Sequence, residues 1–278
     1  AHEYLSSPFR MIHEGAEIVR RRLVGPDARL DMPLMRELAQ EGFTDYVGLV
    51  FVMSDGTRNA ISAATRAADG FDDGHVAFLR TLTPIISLIL DRQSGQRIAR
   101  TLLDTYVGHH AGERILKGEI RRGQGQRIQA VIWYGDLRNF TAMSDSLPTD
   151  EVIGTLNDYF ELMTSAVHRH GGQVLKFIGD GILAIFDVGD AAFRNYACRQ
   201  ALDAATEVEA DIATLNARRK AEGKPILDFG LGLHVGELVY GNIGSVDRLD
   251  FTVIGPAVNL TSRLEALSVQ LGVTVVMS

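Results

Sequence analysis

The chain has 278 residues, with 28 Lys+Arg against 35 Asp+Glu, one cysteine and 46% apolar residues. At roughly 100–200 residues per domain that length predicts two domains, and the ordinary composition excludes a disordered, collagen-like or purely coiled-coil chain. No apolar run comes near the roughly 20 residues of a membrane span. Residues 46–53 are too short and residues 82–90 contain Pro84, so no membrane span is expected. Residues 1–9 lack the basic-then-apolar order of a secretory signal, and the lone Cys198 cannot close an intramolecular disulfide; a reducing, cytoplasmic location is expected. The net charge of −7 is unevenly divided, because residues 1–126 carry 16 basic and 16 acidic side chains and residues 127–278 carry 12 and 19. An acidic half offers no broad surface to a nucleic-acid backbone, so no such partner is expected. A polyanion bound there would have to be met by cations and a few placed basic groups.

In chain order, residues 8–23 carry apolar Phe9, Ile12, Ala16, Ile18 and Val19 and end on Arg20-Arg21-Arg22, which predicts a helix with a basic C-terminal end. After the break at Gly25-Pro26-Asp27, a short helix is expected over residues 32–41. Residues 46–53 and 59–65 read as strands joined at Ser54-Asp55-Gly56. A long helix is expected from Asp73 to about Asp104, with Val76, Leu79, Leu82, Ile86, Ile89 and Leu90 close to heptad spacing. Its entry, Phe71-Asp72-Asp73-Gly74-His75-Val76, resembles the entry to the last helix of GAF domains. An α/β dimerisation module without a ligand accounts for the same pattern. Residues 96–126, with mixed charge and two Gly-rich interruptions, read as a helical linker, either a transducer or a passive connector.

The second half alternates. A buried strand over residues 128–134 precedes an amphipathic helix over 148–170. A hairpin of strands 173–177 and 182–186 turns at Gly179-Asp180-Gly181. A helix follows over 191–220, then strands at 229–235, 237–242 and 251–254, a helix at 257–270 and a strand at 273–277. The order predicts an α+β, ferredoxin-like βαββαβ arrangement preceded by a smaller α/β domain. Domains are expected over residues 1–95, 96–126 and 127–278.

Asp136 ends an apolar strand and Asp180 sits at the hairpin tip. If the strands are neighbours, two carboxylates can converge on divalent cations, with substrate phosphates completing the shell. Taken singly, Asp136 could be a helix N-cap and Asp180 an ordinary turn residue. His109-His110 lacks companions for a metal site, Cys198 and Trp133 read as core, and Arg218-Arg219-Lys220 suits a helix C-terminus.

Several blocks together resemble the class III nucleotidyl cyclases, over about residues 100–278. Asp136-Leu137 with Phe140-Thr141 is similar to the first metal motif, with Asn139 where the family usually has Gly. Phe177-Ile178-Gly179-Asp180-Gly181 is similar to the second. Leu231-Gly232-Leu233-His234-Val235-Gly236 and Gly241-Asn242-Ile243-Gly244 resemble the glycine-punctuated strands, and Phe251-Thr252-Val253-Ile254-Gly255-Pro256-Ala257-Val258-Asn259-Leu260-Thr261-Ser262-Arg263-Leu264-Glu265 the signature helix.

The resemblance implies an adenylate cyclase making cyclic AMP and pyrophosphate from ATP. It implies two Mg²⁺ or Mn²⁺ ions at Asp136, Leu137 and Asp180, and substrate binding by Lys176, Thr252, Phe140 and Thr141. Asn259 would position the ribose and Arg263 stabilise charge on the reacting phosphate; an ion pair of Arg263 with Glu265 is the plainer alternative. Lys176 can donate to adenine N1, and the Thr252 hydroxyl can accept from its amino group. Guanylate cyclases usually have Glu and Cys there, so a guanylate cyclase is the nearer rival and a non-catalytic regulatory homologue the further one. The family also implies a homodimer whose sites are shared between protomers. A further phosphate-binding lysine, found in the family beyond the signature helix, is not in this sequence, so the catalytic domain is expected to be C-terminally truncated and both ends internal cuts.

Overall fold

The computed structural model describes Tyr4 and residues 6–278, so part of the stretch read for a signal (residues 1–3 and 5) lies outside the described residues. The chain divides into two compact units, Ala1–Ala99 and Arg100–Ser278.

In the first unit, helix α1 (Pro8–His13) is followed by β1 (Ile18–Arg22), α2 (Pro33–Gln40), β2 (Asp45–Val52) and β3 (Arg58–Thr65). The three strands form an antiparallel sheet with β2 central. The helix expected over residues 8–23 is therefore overturned in its second half. Gly15 adopts φ +125°, which ends α1, and the β-branched Ile18-Val19 pair then favours a strand. Arg20 and Arg22 reach the fully buried Asp45 carboxylate at 3.0 and 3.8 Å, whereas Arg21 reaches Asp31 at 2.9 Å. That alternation has the period of a strand, and it depends on acids far away in sequence.

The long helix α3 (Asp73–Tyr106) carries Pro84 internally. An 18-residue window in it has a mean hydropathy of 1.2 and is 6% buried, so by length and composition α3 is long and apolar enough to cross a membrane. The sequence reading, which sought an uninterrupted apolar run, expected no such helix. The division between the units falls inside α3.

The second unit continues with α4 (His109–Leu116), β4 (Gly125–Leu137), α5 (Phe140–Ser146), α6 (Thr149–Arg169), β5 (Gln173–Ile178) and β6 (Gly181–Asp187). A turn of 3-10 helix, Ala191–Phe193, leads into α7 (Arg194–Ala221), then β7 (Phe229–Gly244), β8 (Leu249–Ile254), α8 (Pro256–Leu271) and β9 (Val275–Met277). The sheet order is β5-β6-β4-β7-β8, with β9 parallel to β7. Its first four members are the ferredoxin-like set, split so that β4 lies between β6 and β7.

The expected strands 229–235 and 237–242 are one strand. Gly236 pairs with Ala130 without a break, and a Cβ there would crowd Ala257 and the His234 ring. Gly236 therefore admits α8 against the sheet rather than marking a turn.

The sheet is covered on both faces, so β4 reads as a continuous apolar run. Val131 and Trp133 face the core built with α6 and α7, including Met163, Ala201 and Val208. Ala130 and Ile132 face a second core with Ala111, Leu238, Tyr240 and Phe251. Small residues on α7 (Ala197, Ala201, Ala204, Ala205) bring that helix close.

Candidate active site

Asp136 is the penultimate residue of β4 and pairs with Gly230 of β7. On its other side, Gly135 pairs with Ile182 of β6, whose first residue Gly181 closes the β5–β6 hairpin opposite Ile178. The two-residue tip is Gly179, at φ +64°, and Asp180. Asp180 is thus both a turn residue and the neighbour of Asp136. A Cβ on Gly181 would stand 3.2 Å from Asp136 Oδ1 and 3.1 Å from the Tyr134 hydroxyl, so that glycine keeps the space in front of the carboxylate open.

The Asp136 carboxyl is pushed up to about 7, first by burial and then by the charges of Asp180 and Glu265. Among the described residues neither Asp136 nor Asp180 has an ion-pair partner. Two converging hard oxygen donors with no cationic side chain paired to them suit Mg²⁺ or Mn²⁺, which bind through one or two carboxylates with phosphate and water. Among the described residues no group of three or more His, Cys, Asp or Glu could hold a metal by itself. A leucine side chain has no ligand atom, so Leu137 could contribute only its main-chain carbonyl.

Asn139 adopts φ +57°, ψ +23°, the one described non-glycine residue at positive φ, and caps α5. Asparagine tolerates the left-handed region better than most residues, so its replacement of glycine leaves the turn intact. Phe140 opens α5 and packs on the main core; Thr141 is exposed beside it.

Lys176 lies on β5 and its ammonium is 3.4 Å from Asp250 of β8. Both line a cleft of about 740 Å³ with Phe177, Phe251, His168 and, from α4, His110. Thr252 follows directly, but it does not line this cleft: its hydroxyl is buried and without a hydrogen-bond partner. Such an orphaned group costs about 1–3 kcal/mol. Asn259 and Arg263 lie one turn apart on the exposed side of α8. Among the described residues Arg263 has no ion pair, so the alternative pairing with Glu265 does not occur.

Glu265 faces inward instead, 8% exposed, with its carboxyl raised by burial and by Asp180 but lowered by Arg138. Sequence reasoning gave no site role to Glu265, Arg138, Asp250 or the buried Tyr159, whose hydroxyl is unpartnered and held well above its ordinary range by burial and by Asp136. The helical phase of α8 is the one signal that could have found Glu265. Its offset from Arg263 is two residues, about 200°, so the two cannot share a face.

A family described as the adenylate and guanylate cyclase catalytic domain matches residues 124–278, and the chain belongs to this class III cyclase family. Adenylate cyclase 1 of Rhizobium meliloti (strain 1021) is 28% identical over 254 residues, covering 88% of this chain and 37% of the relative. An adenylate cyclase of Anabaena cylindrica is 36% identical over 163 residues, 57% of this chain and 31% of the relative. A solved bacterial light-regulated adenylyl cyclase is 30% identical at a TM-score of 0.56, covering 71% of this chain and 56% of that one. The chain spans about a third of the length of the curated relatives named here. Class III cyclases generally use divalent metal ions, and the converging carboxylates have the donor chemistry for them.

Proposed function

We propose that this chain provides the catalytic part of an adenylate cyclase, converting ATP to 3′,5′-cyclic AMP and pyrophosphate. The observation that carries the reading is the juxtaposition of Asp136 and Asp180 without a counter-charge. Divalent cations bound there would acidify the ribose 3′-hydroxyl and neutralise the phosphates. Asp136 and Asp180 hold that end of the nucleotide, with Phe140 and Thr141 beside it. Lys176, steadied by Asp250, donates to adenine N1, a match that guanine's N1–H cannot make. Thr252 is the second base-reading position, and its hydroxyl, buried and outside the cleft, has to be uncovered to accept from the adenine amino group. Asn259 orients the ribose, and Arg263 meets charge that develops on the reacting phosphate.

The family resemblance divides these groups between two protomers. Thr252 pairs with Gly241, which pairs with Gly125, whereas Asp136 lies at the opposite end of the same 13-residue strand. Asn259 and Arg263 are exposed on the outer side of α8. The reading is therefore a homodimer in which Asp136 and Asp180 of one protomer work with Lys176, Thr252, Asn259 and Arg263 of its partner. The first unit is read as a GAF-like sensor or dimerisation module that acts through α3 and α4.

The test is to incubate the protein with ATP or GTP and Mg²⁺ or Mn²⁺ and to identify the cyclic product. Cyclic AMP, lost in Asp136→Ala, is expected. Cyclic GMP as the main product would make it a guanylate cyclase, and no product from intact dimers would make it a regulatory homologue.

A further inference from the structure

Two residues beyond Asp136, the half-buried Arg138 spreads its guanidinium over three parts of the second unit. Nη1 donates to the Asp228 carboxylate at 3.3 Å, just before β7. Nη2 donates to Ser268 Oγ on α8 at 3.0 Å and to the Val273 carbonyl, just before β9, at 2.6 Å. Its main-chain N–H donates to the Asp228 carbonyl at 2.8 Å. Ser268 is fully buried. The room for this junction comes from Gly230, opposite Asp136, where a Cβ would collide with Ser268 Oγ and Glu265 Oε1.

α8 therefore has two working sides. Its outer side presents Asn259 and Arg263; its inner side, through Ser268, is tied to the strand end that carries Asp136. A single ammonium nitrogen is a poor replacement, because these acceptors are shared between two guanidinium nitrogens held apart by the planar fork. At 1.5 Å per residue, Arg263 stands only about 8 Å along the helix from Ser268.

We infer that Arg138 is a positioning residue that couples the two active sites of the dimer, by fixing the Asp136 strand end of one site to the helix that serves the other. The inference rests on the shared-site reading above. In that arrangement a change at the carboxylates of one site is carried through Arg138 to the Arg263 that acts in its neighbour.

Mixed dimers of the full chain test it. Combining Arg263→Ala in one chain with Asp136→Ala in its partner leaves one intact site, made of Asp136 from the first and Arg263 from the second. Arg138→Lys is then placed in either chain. In the chain that gives Asp136 it should raise the Mg²⁺ needed for half-maximal rate. In the chain that gives Arg263 it should lower kcat about 10- to 100-fold at an unchanged Mg²⁺ requirement, as a displacement of about 1 Å does.

An effect confined to the first chain would overturn the coupling, as would equal losses that merely follow the folded fraction in thermal melts. If Arg138→Lys fails to fold, Ser268→Ala replaces it, removing one of the three acceptors, with the same two-chain pattern expected at smaller size. A readout independent of activity is hydrogen exchange with neither metal nor nucleotide present. Residues 264–277 should exchange faster in the variant, and unchanged exchange would refute the tie. No product from mixed dimers with Arg138 intact would instead refute the shared site itself, and the coupling with it.

Discussion

At the residue scale, Asp136 sets the balance between stability and function. Burial and the Asp180 charge raise its carboxyl to about 7 from an ordinary 3.8. The folded chain therefore holds a proton that the unfolded chain releases. The stabilisation from that proton is complete below about pH 4 and is lost as the pH rises through about 7. Asp136→Asn removes this dependence. Without divalent cations at pH 8, the variant should melt at a higher temperature than the parent, while making no cyclic product. Adding Mg²⁺ should raise the parent's midpoint and leave the variant's unchanged; calorimetry at pH 5 and pH 8 reads both effects. Lys176 gives the second prediction at this scale. Lys176→Ala should lower kcat/KM for ATP by about tenfold or more, because the purine nitrogen loses its charged donor, and steady-state kinetics with ATP and GTP measure it.

At the element scale, close backbone approach decides which residues the strands and turns accept. A Cβ on Gly241 would run into the Gln124 carbonyl and the Gly125 Cα, which are main-chain atoms that cannot swing aside. Gly241→Ala should therefore cost about 1–3 kcal/mol in urea denaturation, as overpacking does. The turn after β4 behaves differently. Asn139→Gly should leave stability nearly unchanged at φ +57°, whereas Asn139→Val should lose about 1–3 kcal/mol, because a β-branched side chain resists that region. The same strand–turn–helix element places Asp136 before the turn and Phe140 after it, so the valine variant should also lose activity beyond its loss of folded protein.

At the scale of the whole molecule, the proposed site is divided between two protomers. The carboxylate pair lies at one end of the sheet, and the exposed Asn259 and Arg263 need something to act on. Activity should then depend on association: specific activity should fall on dilution in step with the dimer fraction from sedimentation. A rate per chain that stays constant to full dissociation would remove the shared-site reading. The second unit has both cores and all the site residues within Arg100–Ser278.

The sequence by itself determined the alternation of strands and helices in the second unit, the carboxylates at two strand ends and the family. Those signals are local: apolar periodicity, a glycine tip beside an acid, and motif blocks in order. It also placed Asn259 and Arg263 on one helix face, because helical spacing is fixed by geometry. Only the tertiary structure decided that residues 18–22 pair as a strand, since the acid that neutralises Arg20 and Arg22 is Asp45, distant in the chain. Only it showed that Gly236 lies inside a continuous strand, and that the inward-facing Glu265 stands close enough to Asp136 to raise its carboxyl. The tie from Arg138 to Ser268 was equally invisible, because 130 positions separate the two residues and nothing in a one-dimensional pattern records which groups a folded sheet and helix bring together.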